Sequence, residues 1–545
     1  MYLHLIEVKE NRDCKDRLEH RAAGSITVFM SLLLMVIASL LFTLLEVSRY
    51  QMLGMMAAVN SQSVTESMFA EYIIPAYQNY HLLVMDGGYG TGQLQLSEIQ
   101  ARMQELGQEN LNPAVTGIGR YSNFLQMNVT DSSAVRYELA TDRNASALLK
   151  QMSELMKGET AADLIKHALD IEGSCEQGEK AGKYLDGALD TMEQAKEAAL
   201  EADSQRDSGI KPKSKRIRSK TGSTPLSDRQ ETEQEAEEIS NPMEDVKSAK
   251  SSPLLAQVIS GSISSKQIEK ADAVENRALN TGNYESEHAS GIIDKLLIIQ
   301  YLKKYASSYR NSVSVPHALL YEQEYILFGK YSDEENLKKM ASRMLLLREG
   351  MNFAYLLTDE AKCAEAMTMA AAIAAATGIP GAAKAIQMGI LASWAYSESI
   401  AELRTLFSGG KIAAVKGRDS WTVSLPEVPA VLLDHSAKSK EISGGLDYQD
   451  YIYSFLALES LEKIGNRFAN LLEKNLRLYS GYGQVQSDCM ITAMETDSRY
   501  HAKQMFLSFV TIAQLSKKGY EYQETYAFSY TGGNERQVYQ SDFWK

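Results

Sequence analysis

The sequence predicts a mainly α protein (α+β), in which a long N-terminal transmembrane helix continues into an exported helical body with small antiparallel β elements. Three observations predict it. Ile26–Leu45, ITVFMSLLLMVIASLLFTLL, carries no charge over twenty residues. At about 1.5 Å per residue this run covers roughly 30 Å, the depth of a bilayer's hydrocarbon core. Ala, Leu, Glu and Lys then recur at helical spacing, and only 10 prolines interrupt 545 residues. The last 55 residues hold Tyr- and Thr-rich stretches that alternate with the period of strands.

Residues 1–24 read as a basic cytoplasmic leader. Lys9, Arg12, Lys15, Arg17 and Arg21 precede the apolar run, whereas Arg49 is followed by no Lys or Arg until Arg102. By the positive-inside rule the N-terminus is cytoplasmic and the bulk extracytoplasmic, a single pass through the cell membrane. The run exceeds a usual signal-peptide core, so the reading is an uncleaved anchor, 25–46, with a cleaved signal as the alternative. Helical pattern persists past the membrane, predicting one helix from Ser25 until Pro75 interrupts it.

The first exported region, 47–202, contains a Gly-rich loop at Gly87–Gly92 and an amphipathic helix from Ser97 to about Leu106. Two short strands, Asn123–Asn128 and Val135–Ala140, are expected around a turn at Thr130–Ser133. Thr141 or Asp142 is placed to cap a helix beginning near Ala145. Residues 203–253 contain no aromatic residue, six cations between Lys211 and Lys220, and eight acids between Asp228 and Asp245. Such a stretch cannot bury enough apolar area to offset ordering entropy and reads as a disordered charged linker. The second helical region, 254–489, is expected to hold helices at Gly291–Tyr305 and Asp333–Leu357. An Ala-rich pair broken at Gly378–Gly381 follows, then one or two helices over Tyr448–Tyr479. The C-terminal segment, 490–545, carries β pattern at Ile491–Tyr500 and Tyr520–Tyr530.

Composition narrows the function classes. A formal charge of −14 argues against a nucleic-acid binder, whose affinity rests on cations meeting phosphates. Four cysteines without C-x-x-C spacing make neither a disulfide scaffold nor a zinc site, and the eight histidines show no ligand spacing. Cys175, Cys363 and Cys489 fall outside the membrane, an odd number. Ser408-Gly-Gly-Lys411, Tyr121-Ser-Asn123 and Lys220-Thr-Gly222 resemble β-lactamase elements, but their order is reversed and the last lies in the linker. Asp86–Glu98 lacks the oxygen ligands of a calcium loop at its third and fifth positions. No catalytic, cofactor or metal residues are assigned.

Arg21–Phe29, RAAGSITVF, resembles the processing junction of type IV pilin-like proteins. The resemblance implies cleavage by a prepilin peptidase after Gly24, with Ser25 as the new first residue. Phe29 departs from that family, which places Glu five residues after the cut. GSITVFMSLLLMVIASLLFTLLEVSR, Tyr321-Glu-Gln-Glu-Tyr325 and Leu346-Leu-Arg-Glu349 continue a wider likeness. With Trp394-Ala-Tyr-Ser-Glu398, Gly409-Gly-Lys411 and Gly445-Leu-Asp-Tyr-Gln-Asp450, they resemble an uncharacterised family of bacterial membrane proteins linked with Tad (tight-adherence) pilus systems. That resemblance implies location and a pilus association but no chemistry. The expected function is a non-enzymatic pseudopilin-like component of a Tad-type pilus or secretion apparatus, a minor or anchoring subunit. Its partners would be the lipid bilayer and other pilus or secretion subunits. The alternatives are a single-pass surface or sensor protein binding an envelope ligand, and an exported hydrolase.

Overall fold

The computed structural model describes residues 3–112, 125–157, 242–377, 380–505, 519–531 and 535–537, with side chains from residue 26 onward except at 377, 380 and 535–537. Helix α1 spans Leu3–Ala70 without a break. It begins inside the leader instead of at Ser25. It ends before Pro75, which instead opens the short helix α2 (Ile74–Tyr80), where its fixed φ suits the first turn. From Ile26, α1 is long and apolar enough to cross a membrane, and its most apolar window is not buried at all.

The chain forms two compact units, one from residues 1–151, 278–289 and 479–545, the other from 152–277 and 290–478. In the first, an antiparallel sheet packs on the C-terminal half of α1. Its strands are β1 (Met85–Asp86), β2 (Met127–Leu139), β3 (Met490–Ala502), β4 (Tyr520–Ser529) and β5 (Glu535–Gln537). β3 is central, paired along its length with β2 and with β4. β4 runs beside α1 from Tyr50 against Tyr520 and Tyr522 to Phe69 against Phe528. Nineteen helical residues at about 1.5 Å and eight strand residues at about 3.4 Å both cover roughly 28 Å, so helix and strand stay in step. Val64, Met68, Phe69, Ile99, Met103, Leu139, Ile491 and Met494 form the core between α1, the sheet and α3 (Leu96–Leu111).

The turn expected at Thr130–Ser133 is absent. β2 runs straight through it, with register shifts at Val129/Asp131 and Ala134/Arg136. Ser132 is buried there, its hydroxyl 3.2 Å from that of Ser498. A polar, turn-prone sequence is held extended because β3 supplies the ladder partner. Asp142 is no simple cap for α4 (142–157): its carboxylate accepts from Leu139 N at 2.7 Å and Gly282 N at 3.0 Å, tying the strand end to a distant segment.

The second unit is helical. α5 (Pro242–Lys250) occupies part of the range read as linker, with Val246 buried. Residues 203–241 of the range read as linker, and the helical pattern read from 158 to 202, lie outside the described residues. α6 (Leu254–Val258), α7 (Gly291–Tyr305) and the short α8 (Glu322–Phe328) follow. α9 (Asp333–Thr358) starts at Ser332, whose hydroxyl accepts from Glu335 N, and its first turn is acidic as the helix dipole favours. The Ala-rich pair is α10 (Glu360–Thr377) and α11 (Ala383–Phe407). α12 (Val428–Leu433) precedes two helices, α13 (Tyr448–Leu458), opened by an Asp447/Asp450 capping box, and α14 (Leu461–Leu476).

Candidate functional site: a buried ion network

Two short motifs of the second unit, Leu346–Glu349 and Trp394–Glu398, meet at one buried polar cluster. α9 and α11 pack side by side, and two turns of α11 place Glu398 and Glu402 on the same face. Arg348 of α9 forks onto Glu402, with Nε to Oε2 at 2.8 Å and Nη2 to Oε1 at 2.7 Å. Lys416 reaches in from the following loop and bridges both acids, 2.5 Å from Glu398 and 2.7 Å from Glu402. Two cations thus meet two carboxylates, all four side chains nearly sealed from solvent.

Further donors complete the set. Asn352 Nδ2 donates to Glu402 Oε2 at 2.8 Å, and the backbone N–H of Val423 donates to Glu398 at 2.7 Å. Arg348 Nη1 donates to the carbonyl of Ala413 at 3.1 Å. The loop 411–423 is therefore stitched to α9 and α11 by charge-assisted bonds. Burial by itself would raise the Glu402 carboxyl; Arg348 and Lys416 overcome it and hold the group down to about 2. Glu398 shifts the other way, because burial outweighs the pull of Lys416.

Aromatic rings close the cluster. Trp394 donates Nε1–H to the carbonyl of Val423 at 2.7 Å, and the Trp394 and Trp421 rings meet edge to face at 5.7 Å. Lys362 lies 4.4 Å from the Trp394 centroid and 4.9 Å from that of Trp421, a cation–π contact with both.

The Tyr321–Tyr325 motif serves a neighbouring polar cluster. Glu322, Gln323 and Glu324 are all fully buried at the start of α8. Glu322 accepts from Asn475 Nδ2 at 2.6 Å and meets His317 Nδ1 at 2.8 Å. Glu324 accepts from the Tyr448 hydroxyl at 2.7 Å and Tyr309 N at 2.9 Å. Burial pushes its carboxyl up to about 7 despite those donors. The Gly409-Gly-Lys411 and Gly445–Asp450 motifs meet through a bridge between Ile412 and Leu446. Gly445 is needed there, because a Cβ would stand 2.2 Å from the Ile412 carbonyl oxygen.

Apart from Glu324 Oε2, which is buried without a hydrogen-bond partner, these carboxylate oxygens meet protein donors, and the arrangement fastens loops to helices. Among the described residues no group of three or more His, Cys, Asp or Glu is placed to hold a metal ion. Asp86, from the calcium-like run, accepts from Gly88 N and Gly90 N and so orders its own loop. Ser408 donates to Thr405 O while Lys411 pairs with Asp447, so the S-x-x-K match brings no nucleophile to a base. Cys363 is half-buried and Cys489 buried, and Cys175 lies outside the described residues.

Gly24, Ser25 and Phe29 all lie within unbroken α1, and Phe29 is exposed. The network itself escaped reading as a site because Glu402 and Lys416 stand outside every recognised motif. The signal available in the sequence is Glu398 and Glu402, four apart on one face of a largely apolar helix.

No curated protein and no solved structure matches the chain. Residues 232–502, the stretch that holds every member of the ion network, match a family of unknown function, DUF5702.

Proposed function

We propose that the protein is a membrane-anchored, extracytoplasmic, pseudopilin-like component of a Tad-type pilus or secretion apparatus, acting without enzymatic chemistry in a minor or anchoring role. One observation carries this reading: α1 is a single helix whose exposed apolar half passes directly into a half buried against a sheet. A helix without a hinge transmits orientation, so a subunit built this way presents its body at a fixed attitude to the membrane. Neighbours anchored in the same membrane would then meet it in one register. The likeness of Arg21–Phe29 to a prepilin junction supports the same reading, as does the likeness of the internal motifs to Tad-linked membrane proteins.

Phe29 sets the role within such an assembly. A new amino terminus at Ser25 would carry a charge into an apolar bundle, where an unpaired charge costs several kcal/mol. A glutamate five residues on would neutralise it, and Phe29 does not. Glu46 cannot substitute, since it lies some twenty residues along the helix and pairs with Arg49 at 2.9 Å. The amine must stay at the membrane surface or meet an acid from another subunit, which suits an initiating or anchoring position.

Mass analysis of the mature N-terminus together with sheared-filament quantification tests the proposal. Ser25 as first residue and abundance far below the major pilin are expected. An intact Met1 would remove the pseudopilin part, and abundance equal to the major pilin would contradict the minor role.

A further inference from the structure

The charge-free run of α1 ends at Leu45, and the next residue already belongs to the folded body. Glu46 is buried, as is Arg49 one turn later, and the two pair at 2.9 Å. Arg49 also donates to the carbonyl of Leu125, the residue that leads into β2. Tyr50 follows, with its ring 5.4 Å from that of Tyr520 and 5.6 Å from that of Tyr522. The Tyr522 hydroxyl donates to Tyr50 O at 3.0 Å, and all three tyrosines are partly buried, with Tyr520 and Tyr522 packed on the core around Leu53 and Tyr500.

This arrangement has an unusual polarity for a helix leaving a bilayer. Charged residues at such a boundary ordinarily extend into water or toward headgroups. Here both turn inward and neutralise each other, and the partly exposed phenol rings stand at that level beside exposed Val47, Ser48 and Gln51. Tyrosine is the residue type that favours the membrane–water interface, with an apolar ring and a polar tip. With Leu45 at the edge of the hydrocarbon, Tyr50 stands roughly 7 Å beyond it, within the headgroup layer. β4 starts at this same level and runs away from it alongside α1, so Tyr520 and Tyr522 share the depth of Tyr50 while Phe528 does not.

We propose that Tyr50, Tyr520 and Tyr522 form a seat that rests on phospholipid headgroups, so that the sheet unit stands directly on the membrane surface with no stalk between. The inference rests on the reading of α1 as a membrane anchor and goes beyond it by assigning a second, interfacial contact made by the C-terminal strand. The inward Glu46–Arg49 pair is what permits the contact, because neither charge then has to be desolvated alone as the headgroups close over it.

The full-length protein, reconstituted into vesicles of equimolar phosphatidylcholine and phosphatidylglycerol, allows a direct test by carbene photolabelling. One lipid probe carries its diazirine at the headgroup and another in the acyl chain. Headgroup adducts are expected on peptides holding Tyr50 and Tyr520–Tyr522, several-fold above those on Phe528–Tyr530 at the far end of the same strand. Acyl-chain adducts are expected on Ile26–Leu45. Acyl-chain labelling of the span with equal or absent headgroup labelling at Tyr520–Tyr522 would overturn the seat and leave the anchor standing. No acyl-chain labelling of the span would overturn the anchor and the seat together.

Discussion

Glu402 and Glu324 show how burial turns a single carboxylate into a stability determinant. Removing one partner of a buried ion pair leaves a charge without its counter-charge, at a cost of about 3–5 kcal/mol. Glu402→Ala would strand Arg348 and leave Lys416 with Glu398 alone, so a loss of that size is expected in urea denaturation followed by tryptophan fluorescence. A loss below ~1 kcal/mol would show that the network is solvated in solution. Glu324 is tested by pH. Its carboxyl is raised from 4.5 to about 7 by burial, so the folded state keeps a proton that the unfolded chain releases. This group's contribution is therefore full below pH ~4.5, declines as pH rises toward 7, and then levels off. Over that window the change is about 3 kcal/mol. Glu324→Gln cannot ionise, so its stability relative to wild type should climb by that amount between those pH values. A constant difference between the two proteins would refute the protonated form.

At the scale of elements, α1 joins an exposed apolar half to a half packed on the sheet, and only the second depends on the fold. Phe69 meets Phe528 at 4.5 Å and Tyr530 at 5.0 Å, closing the end of the helix–sheet core. Phe69→Ala should cost about 3–5 kcal/mol in the first unit, read as a lowered denaturation midpoint. On the proposed anchoring by Ile26–Leu45, membrane association of the same variant should stay unchanged in alkaline extraction. The Ile412–Leu446 bridge depends on a missing side chain. Gly445→Ala places a methyl group against the Ile412 carbonyl and should free the loop 411–423. Faster amide exchange at Ile412 and Leu446, with α14 unaffected, is the expected readout.

On the scale of the whole molecule, one sheet gathers strands from both ends of the chain. β2 pairs with β3 from Met127↔Ala502 to Leu139↔Ile491, more than 350 residues apart in sequence. Truncation after residue 478 removes β3 and β4 and uncovers Leu53, Val64, Met68 and Phe69 on α1. On the proposed anchoring, the truncated protein should still reach the membrane yet lose the first unit's cooperative unfolding and become protease-sensitive between 47 and 151. Retained cooperativity would mean that α1, α3 and β2 suffice without their central strand. Closing so long a loop is slow, so folding of this unit is expected to wait for completion of the chain.

The sequence by itself determined the elements whose cause is local. An apolar run of twenty residues needs no context to be long enough for a bilayer, and the helices at Gly291–Tyr305, Asp333–Thr358 and Tyr448–Leu476 follow from spacing and caps. Tertiary structure decided whatever depended on a distant partner. Thr130–Ser133 carries turn chemistry, yet it is a strand because β3 satisfies its backbone on one side. Glu398, Glu402, Arg348 and Lys416 look like ordinary surface charges in one dimension. They became a buried network because α9, α11 and the following loop bring opposite charges within 3 Å in a place water does not reach. Hydrophobic period and capping act over a few residues, and a chain records them openly. Ion pairing and strand pairing act through space, where separation along the chain carries no information.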